Sequence, residues 1–128
     1  MTILIHSFSA PSKPLGVKVT PRRTNGHHGI AMQSFIVSWD EPSEKNGKIV
    51  SFRIRYRKLR SLWAKSRRSI EDYFVLKNFT GTPTDGDRKH IVDGLLPYTE
   101  YEVAVQELTV AWGPYSDPVK NTTKQGSK

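Results

Sequence analysis

Leu95-Leu96-Pro97-Tyr98-Thr99-Glu100-Tyr101-Glu102-Val103-Ala104-Val105 decides the fold of this chain. A leucine, a proline and a tyrosine lead into a run where Tyr101, Val103 and Val105 alternate with Glu100, Glu102 and Gln106. Period two marks a strand with one face in a core. At the start of such a strand, the hydroxyl of Tyr101 can reach back to the backbone just upstream. Such a corner belongs to two-sheet sandwiches. It speaks to scaffold and not to reaction.

Working outward, the same period recurs. Leu15, Val17 and Val19 alternate with Gly16, Lys18 and Thr20. Phe35, Val37 and Trp39 alternate with Ser34, Ile36, Ser38 and Asp40, which places a tryptophan in the core. Phe52, Ile54 and Tyr56 alternate with Ser51, Arg53, Arg55 and Arg57, giving one apolar and one basic face. Tyr73 to Leu76, His90 to Val92 and Asp117 to Thr122 supply further short strands. Turn chemistry fills Pro21 to Met32, Glu41 to Gly47, Asn78 to Asp87 and Val110 to Ser116. From Lys58 to Ser69 the alternation fails. Short strands between turns, with no amphipathic helix, predict an all-β antiparallel sandwich.

The 128 residues suffice for one two-layer core. Residues 1–10 read as a linker or loose first segment, 11–122 as the domain and 123–128 as a tail or linker. The chain is expected to be part of a longer protein. With no cysteine, disulfides and thiolate chemistry are excluded. No apolar run approaches the ~18 residues of a membrane span, so direct membrane insertion is not expected. The net charge of +8 points to acidic partners.

Several of these motifs, in this order, resemble a fibronectin type III domain over Pro11 to Thr122. They are the early prolines, Val37-Ser38-Trp39 followed by Pro42, and Gly47-Lys48-Ile49 before Phe52 to Tyr56. Leu95-Leu96-Pro97 with Tyr101 to Val105, and Gly113-Pro114-Tyr115-Ser116-Asp117-Pro118, complete the set. The resemblance implies seven strands in two sheets, with Trp39, Tyr56, Leu95, Pro97 and Tyr101 as structural residues. It implies no enzyme activity and no cofactor. It implies a spacer and protein-interaction module of a larger cell-surface receptor or adhesion protein, outside the cell. The competing implication is an intracellular scaffold domain, as in muscle filament proteins. Two regions depart from the family. The loop from Pro21 to Met32 is long. The segment after the third strand is roughly ten to twenty residues longer than a sandwich of about 100 residues allows. Long surface loops carry function. The chain has no Arg-Gly-Asp tripeptide. Trp112-Gly113-Pro114-Tyr115-Ser116 is only partly similar to the tryptophan-serine box of cytokine receptors, lacking its second tryptophan and first serine.

The candidate site is the basic segment from Lys45 to Arg68, which no Asp or Glu interrupts. Arg57, Lys58, Arg60, Trp63, Lys65, Arg67 and Arg68 form its centre. Planar guanidinium groups suit sulfate, phosphate and carboxylate, and Trp63 beside them offers an apolar anchor. The expected partner is sulfated polysaccharide of the heparan type or an acidic protein. The opposing reading is a solvated face in which Glu100 and Glu102 pair with Arg53 or Arg55 across the sheet. Nucleic acid is not expected, for want of a recognised motif and of aromatics interleaved on a sheet face. His27-His28, without carboxylate or cysteine nearby, makes a poor metal site. Asn78-Phe79-Thr80 and Asn121-Thr122-Thr123 match the N-glycan acceptor triplet, and Asn78 is expected in a surface loop.

Overall fold

A computed structural model describes residues 9–25, 31–62, 74–81 and 88–124. Among these, every regular element is a strand: β1 (Leu15–Asn25), β2 (Ala31–Asp40), β3 (Ser51–Ser61), β4 (Val75–Thr80), β5 (Lys89–Leu95), β6 (Thr99–Leu108) and β7 (Val119–Thr122). They form a three-stranded sheet in the order β1-β2-β5 and a four-stranded sheet in the order β4-β3-β6-β7. All pairings are antiparallel. The antiparallel sandwich expected from the alternation, with the seven strands in two sheets that the resemblance implies, is the fold.

The core lies between the sheets and is built from one parity of each strand. Phe35, Val37 and Trp39 of β2 meet Phe52, Ile54 and Tyr56 of β3, with Val19, Val92, Leu95, Tyr101, Val103 and Val105 completing the cluster. Phe35, Ile54 and Val105 are wholly buried. Burying each such side chain contributes about 1.5–3 kcal/mol before the entropy of ordering is subtracted. Rings cross the layer edge-to-face, with Phe35 5.8 Å from Tyr101 and Trp39 5.2 Å from Phe52.

The corner forms as its residues predict. The backbone N–H of Leu96 donates to the Tyr101 hydroxyl at 2.9 Å. Thr99 Oγ1 donates to the Pro97 carbonyl at 2.8 Å. Thr123, placed by sequence in the tail, is buried, and its Oγ1 donates to the Leu96 carbonyl at 2.6 Å. Thr123 thus packs against the corner from just beyond β7.

Three local expectations are corrected. Pro21 to Asn25 is strand, not loop, and pairs with Ala31 to Phe35. Proline is tolerated there because β1 is an edge strand and needs no outward N–H. The strand β3 continues through Lys58 to Ser61, with a register irregularity between Lys58 and Arg60, where sequence alternation had broken down. A bulge shifts parity and hides a strand from a period-two reading. Asn78 lies in β4, opposite Arg53.

Candidate functional site

The outward parity of β3 carries Arg53, Arg55 and Arg57, and the register of the sheet decides what each meets. On β6 Gln106 stands opposite Arg53, Ala104 opposite Arg55, Glu102 opposite Arg57 and Glu100 opposite Arg60. The acids thus serve the far end of the strand, not Arg53 or Arg55 as expected. Arg57 Nη2 lies 3.6 Å from Glu102 Oε1, and Arg60 Nε donates to Glu100 Oε1 at 3.2 Å.

Where no carboxylate is opposite, aromatic rings cover the guanidinium groups. Arg53 sits 4.1 Å over the Trp112 ring. It also donates from Nε to Asn78 Oδ1 at 2.6 Å and from Nη1 to Gln106 Oε1 at 2.9 Å. Arg55 lies 3.8 Å from the Tyr115 ring and 4.3 Å from that of Phe74, and Arg57 lies 4.9 Å from the Phe74 ring. Tyr115 and Phe74 thus share Arg55, and Phe74 is shared by Arg55 and Arg57. The ring quadrupole attracts each cation. The segment after β6 delivers Trp112 and Tyr115. Gly113 lets it pass close to Pro11, whose carbonyl oxygen a Cβ on Gly113 would strike. Aromatics interleaved with arginines on a sheet face, thought absent from the sequence, are present. Each of these rings carries at least one guanidinium group.

Beneath the Arg53 end of this face, between the sheets, lies a buried ion pair. Glu107 is fully buried. Its Oε2 accepts from Arg88 Nε at 2.7 Å and from Trp39 Nε1 at 2.7 Å, and its Oε1 accepts from Arg88 Nη2 at 3.2 Å. Bidentate geometry with the indole as third donor satisfies the desolvated charge. Arg88 Nη1 lies 4.0 Å from Glu41. An open groove of about 600 Å³ beside this pair is lined by Lys18, Ser38, Asp40, Glu41, Arg88 and Lys89. Sequence reasoning missed Glu107 and Arg88. The parity of Tyr101, Val103 and Val105 does carry the signal, since Glu107 is the next inward position.

Of the predicted site residues, the fold brings Arg57, Lys58 and Arg60 onto one strand. Trp63, Lys65, Arg67 and Arg68 lie outside the described residues, as do His27 and His28. Asn78 is exposed, with Oδ1 engaged by Arg53. Asn121 is half-buried, and its Nδ2, the atom a glycan would take, donates to the Val19 carbonyl at 2.6 Å. Burial raises the pKa of Tyr56, helped by Tyr101 and Asp93, so its phenol stays neutral.

The comparisons agree with this architecture. The fibronectin type III domain family matches residues 12–122. Receptor-type tyrosine-protein phosphatase S of Gallus gallus is 30% identical over 107 residues, covering 83% of this chain and 6% of the phosphatase. The chain thus spans a small fraction of that relative's length. Among solved structures, the third fibronectin III domain of human KIAA0343 protein superposes with a TM-score of 0.68 at 24% identity, covering 100% of this chain and 94% of that one. A structure described as a myokine gives 0.61 at 24% identity, covering 91% of this chain and 100% of that one. Titin kinase with its flanking domains gives 0.57 at 20% identity, covering 90% of this chain and 17% of that one. Such modules sit within larger chains, mediate protein interactions and are generally non-catalytic. With the Tyr101 corner, the sheet order and the match over residues 12–122 in agreement, the chain belongs to the fibronectin type III family.

Proposed function

We propose that this module is a non-catalytic spacer and interaction unit of a larger cell-surface protein, and that the basic face of β3 binds an acidic partner. The observation that carries the reading is the charge balance of that face. Among the described residues, Arg53, Arg55, Arg57 and Arg60 of β3 and Lys120 of β7 stand across the sheet from two carboxylates, those of Glu100 and Glu102 on β6. The rings hold the guanidinium groups in place without cancelling their charge, so the face is a preorganised field for anions. Lys65, Arg67 and Arg68 in the insertion add to it in sequence. Heparan-type polysaccharide is the partner class with the required density of sulfate and carboxylate. The similarity to a receptor-type phosphatase supports a cell-surface address.

The test is retention on heparin against a cation exchanger of equal charge density, for the native chain and a variant with Lys65, Arg67 and Arg68 changed to Ser. The native chain is expected to outlast its exchanger position on heparin, and the variant to lose that excess. If both elute where charge alone places them, the face is merely solvated.

A cysteine-free composition also suits an intracellular scaffold domain. Mass analysis of the chain expressed in a secreting eukaryotic cell separates the readings. A glycan on Asn78, whose side chain is exposed, excludes the cytosolic one.

A further inference from the structure

Four strands end the two sheets, and their edges are not equivalent. β1 and β7 adjoin each other, and Asn121 Nδ2 ties β7 to the Val19 carbonyl across the gap. β4 carries Lys77 near its middle, so pairing two copies there brings like charges together. β5 is different. It pairs only with β2 among the described residues, and its sequence is Lys89-His90-Ile91-Val92-Asp93-Gly94-Leu95.

The register fixes which backbone groups of β5 are spent. Trp39 N–H donates to the Arg88 carbonyl at 3.1 Å, so Arg88 faces β2. Hydrogen-bonding direction alternates along a strand. His90 and Val92, opposite Val37 and Phe35, therefore also face β2, whereas Lys89, Ile91 and Asp93 turn their N–H and C=O groups to the open edge. The same three residues are exposed, with Ile91 49% accessible. Val92 and Leu95 are buried, and His90 packs on Phe79.

We propose that the β5 edge is a self-complementary docking surface whose partner is a second copy of this chain. Antiparallel pairing about a two-fold axis through Ile91 sets Ile91 against Ile91 of the second copy. It sets Lys89 against Asp93 of the second copy, and Asp93 against its Lys89. Each of these positions is one whose backbone groups face outward, so the hydrogen bonds and the charge pairs fall in the same register. A two-fold interface is isologous, and an interface of this kind closes at the dimer. The chain carries +8 overall, but on this edge Lys89 and Asp93 cancel, and Arg88 is already paired with Glu107. The Lys89–Asp93 pairs thus offset part of the repulsion between two strongly basic copies, while Arg22 lines the groove beside Ile91. The inference does not depend on the partner of the β3 face, which belongs to the other sheet.

Sedimentation of the whole chain from about 1 µM to about 1 mM tests it. The native chain is expected to pass from monomer to dimer. Lys89→Asp and Asp93→Lys each set like charges opposite one another and should raise the dimer Kd by about tenfold or more. An equimolar mixture of those two variants restores association, because each supplies the charge the other needs. The double variant K89D/D93K restores it as well. Ile91→Pro removes an outward N–H that has no acceptor among the described residues. It should abolish the dimer while leaving the far-ultraviolet circular dichroism unchanged. A native chain monomeric at about 1 mM overturns the proposal. So does a dimer indifferent to Ile91→Pro, or charge variants that the mixture does not rescue.

Discussion

Arg88 and Arg55 show two solutions to one problem, the placing of a guanidinium in a folded chain. Arg88 is 9% exposed and is met by a fully buried carboxylate with two-point geometry. Arg55 is half-buried, has Ala104 opposite it, and lies against the rings of Tyr115 and Phe74. Depth makes the difference. A deeply buried cation needs an opposite charge, since the desolvation penalty is several kcal/mol per ion. At the surface water still screens part of the charge, and two ring faces suffice to order the side chain. The first arrangement consumes its charge inside the sandwich. The second leaves its charge without a carboxylate opposite it on β6.

The largest effect is expected from breaking the buried pair. Glu107→Ala leaves Arg88 without its counter-charge and the Trp39 indole without an acceptor. We expect a loss of about 3–5 kcal/mol, read by urea denaturation. Changing Arg88 to Met and Glu107 to Leu together should recover much of that loss, because two well-packed apolar residues avoid both desolvation penalties. The indole N–H stays orphaned and keeps the double variant below the native chain. If Glu107→Ala costs under about 1 kcal/mol, the pair is not the constraint described here.

Removing the corner is the next largest change. Tyr101→Phe deletes the hydroxyl that accepts the Leu96 N–H while the ring keeps its packing against Phe35. A cost of about 1–3 kcal/mol is expected from the unsatisfied donor. Thermal melting of the variant measures it, and no change would mean that water replaces the hydroxyl.

The ring-covered arginine comes third. Arg55→Ala should cost about 1–2 kcal/mol, since two aromatic faces lose their cation. Arg55→Lys should recover only part of this, because an ammonium cannot stack as a plane. Salt dependence sharpens the contrast with the exposed pair of Arg60 and Glu100. That pair is worth under about 1 kcal/mol and should fade in high salt. An Arg55→Ala effect that vanished in salt would show that the rings contribute nothing.

These contrasts also explain what sequence could and could not disclose. Strands β2, β3 and β6 were legible because apolar side chains keep to one parity, even in β6, where Ala104 and Gln106 of the other parity are buried too. The corner was legible because its residues are contiguous. Pro21 to Asn25 hid a strand because an edge position tolerates proline and asparagine that otherwise mean turn. The partners of the arginines were not legible. They depend on the offset between β3 and β6, which the irregularity at Lys58 to Arg60 shifts. The rings that cover Arg53 and Arg55 come from Trp112, Tyr115 and Phe74, distant in sequence and outside any alternating run. Glu107 was legible by parity but contradicted the expectation that inward positions are apolar.

His90 supplies the finest test of whether rings alone can support a charge. It packs against Phe79 at 4.0 Å and Phe52 at 4.9 Å. Ile36 and Ile91 lie beside it, and the charged groups lining its groove are the cations Arg22 and Lys89. Burial lowers its pKa below the usual 6.5. Arginine cannot escape its charge and is stacked where water reaches it. Histidine can shed its proton, and burial favours the neutral form here. A folded pKa below the unfolded one means that the unfolded chain binds the proton more tightly in the window between them. This contribution is fully present above about 6.5 and is lost as the pH falls through the lowered folded value. The native chain should therefore lose stability on acidification over that range more steeply than His90→Phe, which packs on the same rings and takes up no proton. Denaturation midpoints of the two chains between pH 7.5 and pH 4.5, roughly spanning the histidine range, decide the matter. Parallel curves would mean that the phenyl faces of Phe52 and Phe79 stabilise the imidazolium as well as water does, and the distinction between ring-covered and carboxylate-paired cations would then be one of geometry and not of depth.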